Sequence, residues 1–358
     1  DMDFKTAQPI IDACKKKAEE GIWGYTSRPD SYFKAYADWQ LRRNGWALDT
    51  NLCSWCLGVV PALAAIIKLF TKKEEKVLIQ PPVYPEFFEI TENTGRELVQ
   101  NNFLEHDGVW EVDFEDFEKK IVDNNVKVFI LCNPHNPVGR VWTKEELEKM
   151  GDICLKHNVV IMDDEIHCDF TYPGFKFTSF MTLDEKYHNS LVLYTSPSKT
   201  FNVAGLQPAN IIIKNPELRA AYRKANAAAG YSQGSIMGQV AVKSVYTKGD
   251  EWVNELVEYI TGNMNYMRDF VKENFPKAHF VDPEGTYLTW VDFSGYGFTD
   301  EELEHIMVEE AHLWLDSGKV FGPATAQFER FNLACPRATV VKAMEQLKAA
   351  LDNHTKWA

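Results

Sequence analysis

The chain has 358 residues, 45% of them hydrophobic and 25% charged, the balance of an ordinary water-soluble globular protein with room for two or three domains. Its formal net charge of −14 offers no basic face to neutralise phosphate backbones, so no nucleic-acid partner is expected. No apolar run approaches the roughly 20 residues of a membrane span. The longest, 57–67, is broken by Pro61, so no membrane role is expected either.

Taken in chain order, the start Asp1-Met2-Asp3-Phe4 does not read as a natural beginning, and some N-terminal residues are expected to be missing. Residues 1–48 are rich in aromatics and poor in strand patterns. Cys53-Ser54-Trp55-Cys56 is a C-x-x-C, but a metal site would need a second pair and a redox site a thioredoxin-like context. A buried strand leading into a helix is the better reading. Seven cysteines, an odd number in apolar settings, suit a reducing cytoplasm. Gly58-Val59-Val60-Pro61 then opens an almost wholly apolar helix, whose free N–H groups suit a phosphate.

Short β-branched runs follow at 76–80, 97–101, 126–131, 159–162, 191–194 and 210–213, nearly continuous as in strands covered on both faces. Helical stretches separate several of them. One starts at a capping box, Thr143 with Glu146. This alternation predicts an α/β layer with a mostly parallel sheet. After Ile213 the pattern changes: a long helix over 251–275, strands near 279–281 and 287–293, a capped helix from Thr299, a strand over 328–334 and a last helix over 339–351. These predict a smaller α+β unit. The expected division is a large domain over 49–250 and a small domain made of 1–48 with 251–358.

The chemistry-bearing residues fall at predicted strand ends, where open α/β sheets bind ligands. Lys199, within Ser196-Pro197-Ser198-Lys199-Thr200-Phe201, has the setting of a lysine that carries an aldehyde cofactor as a Schiff base, with nearby hydroxyls meeting a phosphate. Asn133-Pro134-His135-Asn136-Pro137-Val138-Gly139 is a turn stiffened by two prolines that aims Asn136 inward. In Asp163-Asp164-Glu165-Ile166-His167, Asp164 is the candidate carboxylate to keep a pyridine nitrogen protonated. His167 is placed to reach a phenolic oxygen, a satisfied structural histidine being the competing reading. Tyr84, on the proline-stiffened loop after 76–80, is a candidate to stack on the ring.

Together, Asn-Pro-x-Asn-Pro-x-Gly, Asp-Glu-x-His, Ser-x-Ser-Lys-x-Phe-Asn-x-Ala-Gly-Leu and Arg330-Phe331-Asn332 resemble a fold-type I pyridoxal-phosphate enzyme of the class I/II aminotransferase superfamily. Gly24-Tyr25, Pro81-Pro82-Val83-Tyr84 and Ala334-Cys335-Pro336-Arg337 narrow the resemblance to its cystathionine β-lyase, or C–S β-lyase, branch. The resemblance spans essentially the whole chain. It implies an aspartate-aminotransferase-like fold, with a seven-stranded-type sheet between helices in the large domain, and pyridoxal 5′-phosphate as cofactor. It further implies that Lys199 attaches the cofactor and shuttles a proton, with Asp164 at the ring nitrogen, Asn136 and His167 near the phenolic oxygen and Tyr84 on the ring. Val59, Val60, Ser196 and Ser198 would surround the phosphate. Arg330 would grip the substrate α-carboxylate, and Tyr25 would arrive from the partner subunit of a homodimer.

One position departs from the pattern: where many aminotransferases place Arg or Lys eight residues after the lysine, this chain has Gln207. That favours C–S bond cleavage of L-cystathionine or related cysteine conjugates over amino transfer, which stays the alternative. A cofactor-binding regulatory module would want a basic helix-turn-helix segment, and the chain has neither the charge nor the length for one. Arg337 reads as a helix-start residue rather than a substrate contact.

Overall fold

The computed structural model describes residues 1–25, 27–106, 108–230 and 234–355, apart from the side chains of Trp55 and Thr355. Its centre is a seven-stranded sheet formed by the short aliphatic runs. The strands are β1 (Cys53–Leu57), β2 (Lys76–Ile79), β3 (Glu97–Gln100), then, beyond a small hairpin of β4 (Leu104–His106) and β5 (Val109–Glu111), β6 (Val128–Cys132), β7 (Val160–Asp164), β8 (Leu191–Thr195) and β9 (Pro208–Ile213). Their order is β1-β9-β8-β7-β6-β2-β3. All neighbours from β3 to β8 run parallel, and β9 is antiparallel to both β8 and β1.

Successive residues of a strand face opposite sides, and here both sides are buried. In β6, Phe129 and Leu131 enter one apolar cluster and Val128 and Ile130 the other. Cys53 and Cys56 obey the same alternation, which sends them to opposite sides of the sheet. The C-x-x-C is therefore two unrelated core thiols, as the strand reading expects, and both are free.

Helices cover the sheet. They are α1 (Gln8–Glu20), α2 (Asp30–Trp39), α3 (Val59–Phe70), α4 (Glu86–Asn93), α5 (Phe114–Asn124), α6 (Lys144–Lys156), α7 (Pro216–Ala228) and α8 (Ile236–Lys248). The α6 start is a complete capping box: Glu146 N donates to Thr143 Oγ1 at 3.1 Å, and Thr143 N donates back to Glu146 Oε2 at 2.9 Å.

The C-terminal unit has α9 (Asp250–Asn274), β10 (His279–Val281), β11 (Leu288–Asp292), α10 (Asp300–His305), β12 (Asp316–Ser317), β13 (Phe328–Asn332) and α11 (Arg337–Thr355). Its four-stranded antiparallel sheet has the order β10-β11-β13-β12. One face, with Val291 and Phe331, packs on Met267 and Val271 of α9 and on Met344 and Leu347 of α11. The other carries Trp290 and Phe328, stacked at 5.2 Å, into the cluster beneath the large sheet.

Met2 joins the α9–α11 core. Ile10, Tyr36, Trp39 and Trp46 pack instead with Leu193 and Ile212 of the large sheet and with Ala241 and Val245 of α8. The apolar residues of α1 and the aromatic stripe of α2 need a large apolar partner, and α8 with the β8–β9 face supplies it.

Gly139 joins the two units. Its carbonyl accepts from Glu284 N and Gly285 N, each at 2.9 Å, and its φ of 75° lies in the left-handed region. A Cβ there would come within 2.7 Å of Pro283 Cβ. Gly139→Ala is therefore expected to destabilise the fold by about 1–2 kcal/mol from backbone strain alone. The added clash makes the loss larger, read as a lower denaturation midpoint in urea.

Candidate active site

The carboxyl ends of β1, β2, β6, β7 and β8 open onto one cavity of about 460 Å³. It is lined by Val59, Val60, Tyr84, Asn136, Asp164, His167, Ser198, Lys199 and Arg330, so nine of the residues singled out from sequence converge there. Each arrives by a local device. Asp164 is the last residue of β7, and the N-terminus of α3 presents Val59 and Val60 after Gly58, whose φ is 92°. The proline-stiffened turn after β6 carries Asn136. β13 sends Arg330 across from the second unit.

Two expected residues lie elsewhere. Ser196 lines the turn rather than the cavity: its Oγ is 2.5 Å from the Pro208 carbonyl and 2.8 Å from Ser198 Oγ, and it accepts from Ser198 N at 3.0 Å. These bonds fix the loop that ends in Lys199. Tyr25 is fully exposed in the single chain and does not reach the cavity. Arg337 is also outside, donating from Nε to Asn263 Oδ1 at 2.7 Å at the start of α11.

Burial sets the charge states. The Asp164 carboxyl is pushed up to about 7 by burial, against the opposing Ile166 N–H and the Lys199 charge. The Lys199 amine is pushed down from its ordinary value, first by burial and then by Arg330. Burial also holds His167 well below its ordinary value, with Lys199 and Arg330 adding to the effect, so its ring is neutral at pH 7. Its Nδ1 is buried and has no partner among the described residues. The Tyr84 phenol is held neutral by burial and by Glu86. Arg330 donates to Asn136 Oδ1 at 2.9 Å and to the carboxylate of Asp316, with its guanidinium carbon 4.7 Å over the Phe321 ring.

The cavity includes residues the sequence reading passed over. Cys132 ends β6 and takes Asn136 N onto its sulfur at 3.4 Å, bracing the turn. Tyr287 packs its ring edge-on against His167 at 5.5 Å. Asp316 reaches the site because β12 pairs with β13 in the register Asp316↔Arg330. Gln207 does line the cavity, at φ 50° after a short turn, in the place where a cation was missed from the pattern.

The chain as a whole has close relatives. A family model described as aminotransferase class I and II matches residues 1–347. The chain belongs to this family. Among curated relatives, cystathionine beta-lyase PatB of Bacillus subtilis (strain 168) is 39% identical over 351 residues, covering 98% of this chain and 91% of its own length. Cystalysin of Treponema denticola, whose crystal structure contains a pyridoxal 5′-phosphate cofactor, matches with a TM-score of 0.97 at 36% identity, covering 99% of this chain and 90% of that one. The pyridoxal-phosphate-bound C–S lyase of Staphylococcus hominis matches with a TM-score of 0.92 at 31% identity, over 98% of this chain and 90% of that one. Within the class I and II family the chain thus has the aspartate-aminotransferase-like arrangement of a large, mostly parallel sheet and a small antiparallel one.

A carboxyl whose pKa rises on folding costs stability as pH climbs from its ordinary value, 3.8, to its folded value of about 7, and costs nothing below the lower one. Asp164→Asn removes that term. In the protein without added ligand, the variant is expected to lose less stability than the wild type between pH 4 and 7, measured as the difference in urea midpoints across that window.

Proposed function

We propose that the protein is a pyridoxal-phosphate-dependent C–S β-lyase that cleaves L-cystathionine or related cysteine-S-conjugates to pyruvate, ammonia and a thiol. The observation that carries the reading is that Arg330 shares one cavity with Lys199 and Asp164, and that burial lowers the pKa of Lys199 and raises that of Asp164.

The cavity fits the cofactor on its own features. Asp164 is a buried carboxyl suited to a cationic N–H, and His167, whose buried Nδ1 has no partner among the described residues, lines the same cavity. The α3 N-terminus offers backbone N–H groups at Val59 and Val60, and Ser198 a hydroxyl, for a phosphate. Bound there, pyridoxal phosphate supplies an aldehyde that captures an amino acid's amine and a ring that accepts electrons.

The protein's own groups then divide the work. Lys199 is the attachment amine. Once released by the incoming amino acid, Nζ takes the Cα proton, a task its lowered pKa suits at neutral pH. Asp164 would keep a proton on the ring nitrogen, Asn136 and His167 would hold the phenolic oxygen, and Tyr84 would hold the ring. Arg330 orients the substrate through its α-carboxylate, a task for which a planar guanidinium is suited. When Cβ bears sulfur, the Cβ–S bond breaks with its electron pair leaving on the thiolate. Water then completes conversion of the remaining fragment to pyruvate and ammonia.

The functional unit in this reading is a cytoplasmic homodimer in which Tyr25 reaches the partner's phosphate site. Its complete exposure in one chain, beside the half-exposed Trp23, supports that assignment. No helix among the described residues is long and apolar enough to cross a membrane.

Lys199→Ala should lower pyruvate release from L-cystathionine by roughly 10²–10⁴-fold or more, the range for losing a proton-transfer group. Amino-acid-dependent formation of glutamate from 2-oxoglutarate, without pyruvate, would instead assign the protein to amino transfer. For the shared site, inactive Tyr25→Ala and Lys199→Ala proteins should regain activity when refolded together, because each hybrid dimer contains one site with both residues. No regain would remove Tyr25 from the partner's site.

A further inference from the structure

The guanidinium proposed to receive the substrate's carboxylate already holds one. Arg330 Nη2 donates to Asp316 Oδ2, and Nη1 to Asn136 Oδ1 at 2.9 Å. Nε is closed off from solvent and has no partner among the described residues. A ligand carboxylate binds a guanidinium best through two parallel N–H groups. With the Nε edge sealed, that pair must include Nη2, where Asp316 sits. Two carboxylates crowded on one guanidinium repel each other, so one must yield.

Asp316 is placed to yield. Its side chain is more than half exposed, so leaving Arg330 delivers it to water rather than to an apolar interior. It starts β12, a two-residue strand at the sheet edge whose sole ladder is with β13. The segment before it, 313–315, runs between clefts of about 590 and 230 Å³ that both contact Leu313, Trp314 and Leu315, and Trp314 is 90% exposed. Edge position, exposure and adjacent free volume together leave this segment room to move.

We infer that Asp316 is a resident competitor for Arg330, displaced by the α-carboxylate of a bound amino acid and restored when the product carboxylate is released. This rests on Arg330 being the carboxylate site. An amino acid is held at two points, its amine and its carboxylate, so its carboxylate acts at high effective concentration and displaces Asp316. A free carboxylate lacks the second tether. Pyruvate, the carboxylate left after elimination and loss of the amine, is in that position. Asp316 therefore discriminates for amine-bearing carboxylates and against the product.

The test uses cofactor-loaded protein and propanoate, which has a carboxylate and no amine, titrated by ligand-observed NMR. Asp316→Asn should bind propanoate roughly two- to fivefold more tightly than wild type, the range expected for removing one partly exposed charge competitor. Asp316→Glu should stay near wild type, and Arg330→Ala should abolish binding. In steady state, pyruvate should inhibit Asp316→Asn at correspondingly lower concentration. Unchanged or weaker propanoate binding by Asp316→Asn, with a wild-type unfolding midpoint, would mean that Asp316 orients Arg330 and does not compete. Persistent binding to Arg330→Ala would place the ligand elsewhere and also overturn the inference. Pyruvate formation from L-cystathionine by the wild type is scored separately, so a failure of the lyase reading is distinguishable from a failure of the competitor.

Discussion

A carboxyl group at the end of β7 and an amine in the turn after β8 share one cavity, both largely buried. Neither keeps its ordinary protonation behaviour there: burial raises Asp164 to about 7 and lowers Lys199. Each partly stabilises the charged form of the other, and neither has a hydrogen-bonded ion pair among the described residues. Such a half-compensated arrangement is costly for folding and useful for chemistry, because it is completed by a ligand that brings a cationic N–H to one side and an electrophile to the other. The parallel sheet makes this possible, since adjacent strand ends deliver polar residues to one rim while their apolar stretches stay sealed on both faces.

The acids beside Asp164 show how that rim avoids a surplus of negative charge. Asp163 and Glu165 flank it in sequence and are fully buried. Glu165 accepts from Ser179 Oγ at 2.6 Å and from Phe180 N at 3.1 Å. Burial pushes Glu165 up to about 8, and burial with the Glu165 charge pushes Asp163 up as well, so the pair retains at least one proton at neutral pH. Three consecutive acids therefore do not place three charges beside the cavity. Strand alternation turns Asp164 to the cavity and Asp163 to the opposite side of β7.

Much of this was legible in sequence because the signals are local. The strand ends, the capping box at Thr143, the proline-stiffened turn around Asn136 and the motif around Lys199 each depend on residues within about one turn or strand of one another. Three other features were not legible, two because they depend on pairing between distant segments and one because the turn gives no sign of it. Asp316 enters the site through an antiparallel register with Arg330, Tyr287 through a ring contact with His167, and Cys132 as a sulfur acceptor within a turn that reads as backbone alone. What covers α1 and α2 was not legible for a similar reason: an apolar or aromatic stripe shows that a helix is covered but not by what, and α8 lies some two hundred residues away in the chain. The small β4–β5 hairpin, with only Trp110 buried among its strand residues, carries too weak an alternation to be seen in advance.

The second unit contributes through a chain of contacts rather than through one residue. β13 directs Phe328 and Arg330 to the face opposite Glu329 and Phe331, so the face that stacks Trp290 on Phe328 also fixes where the guanidinium emerges. Asn136 receives that guanidinium, the same turn ends in Gly139, and Gly139 accepts the backbone of 284–285 leading into β11. Any shift of the C-terminal sheet relative to the large one is thus felt at Asn136 from two directions, through its side chain and through its turn. A rigid hinge at Gly139 and an adaptable edge at β12 are complementary. The first fixes the position of Arg330 relative to Lys199, and the second leaves the counter-charge on Arg330 free to change.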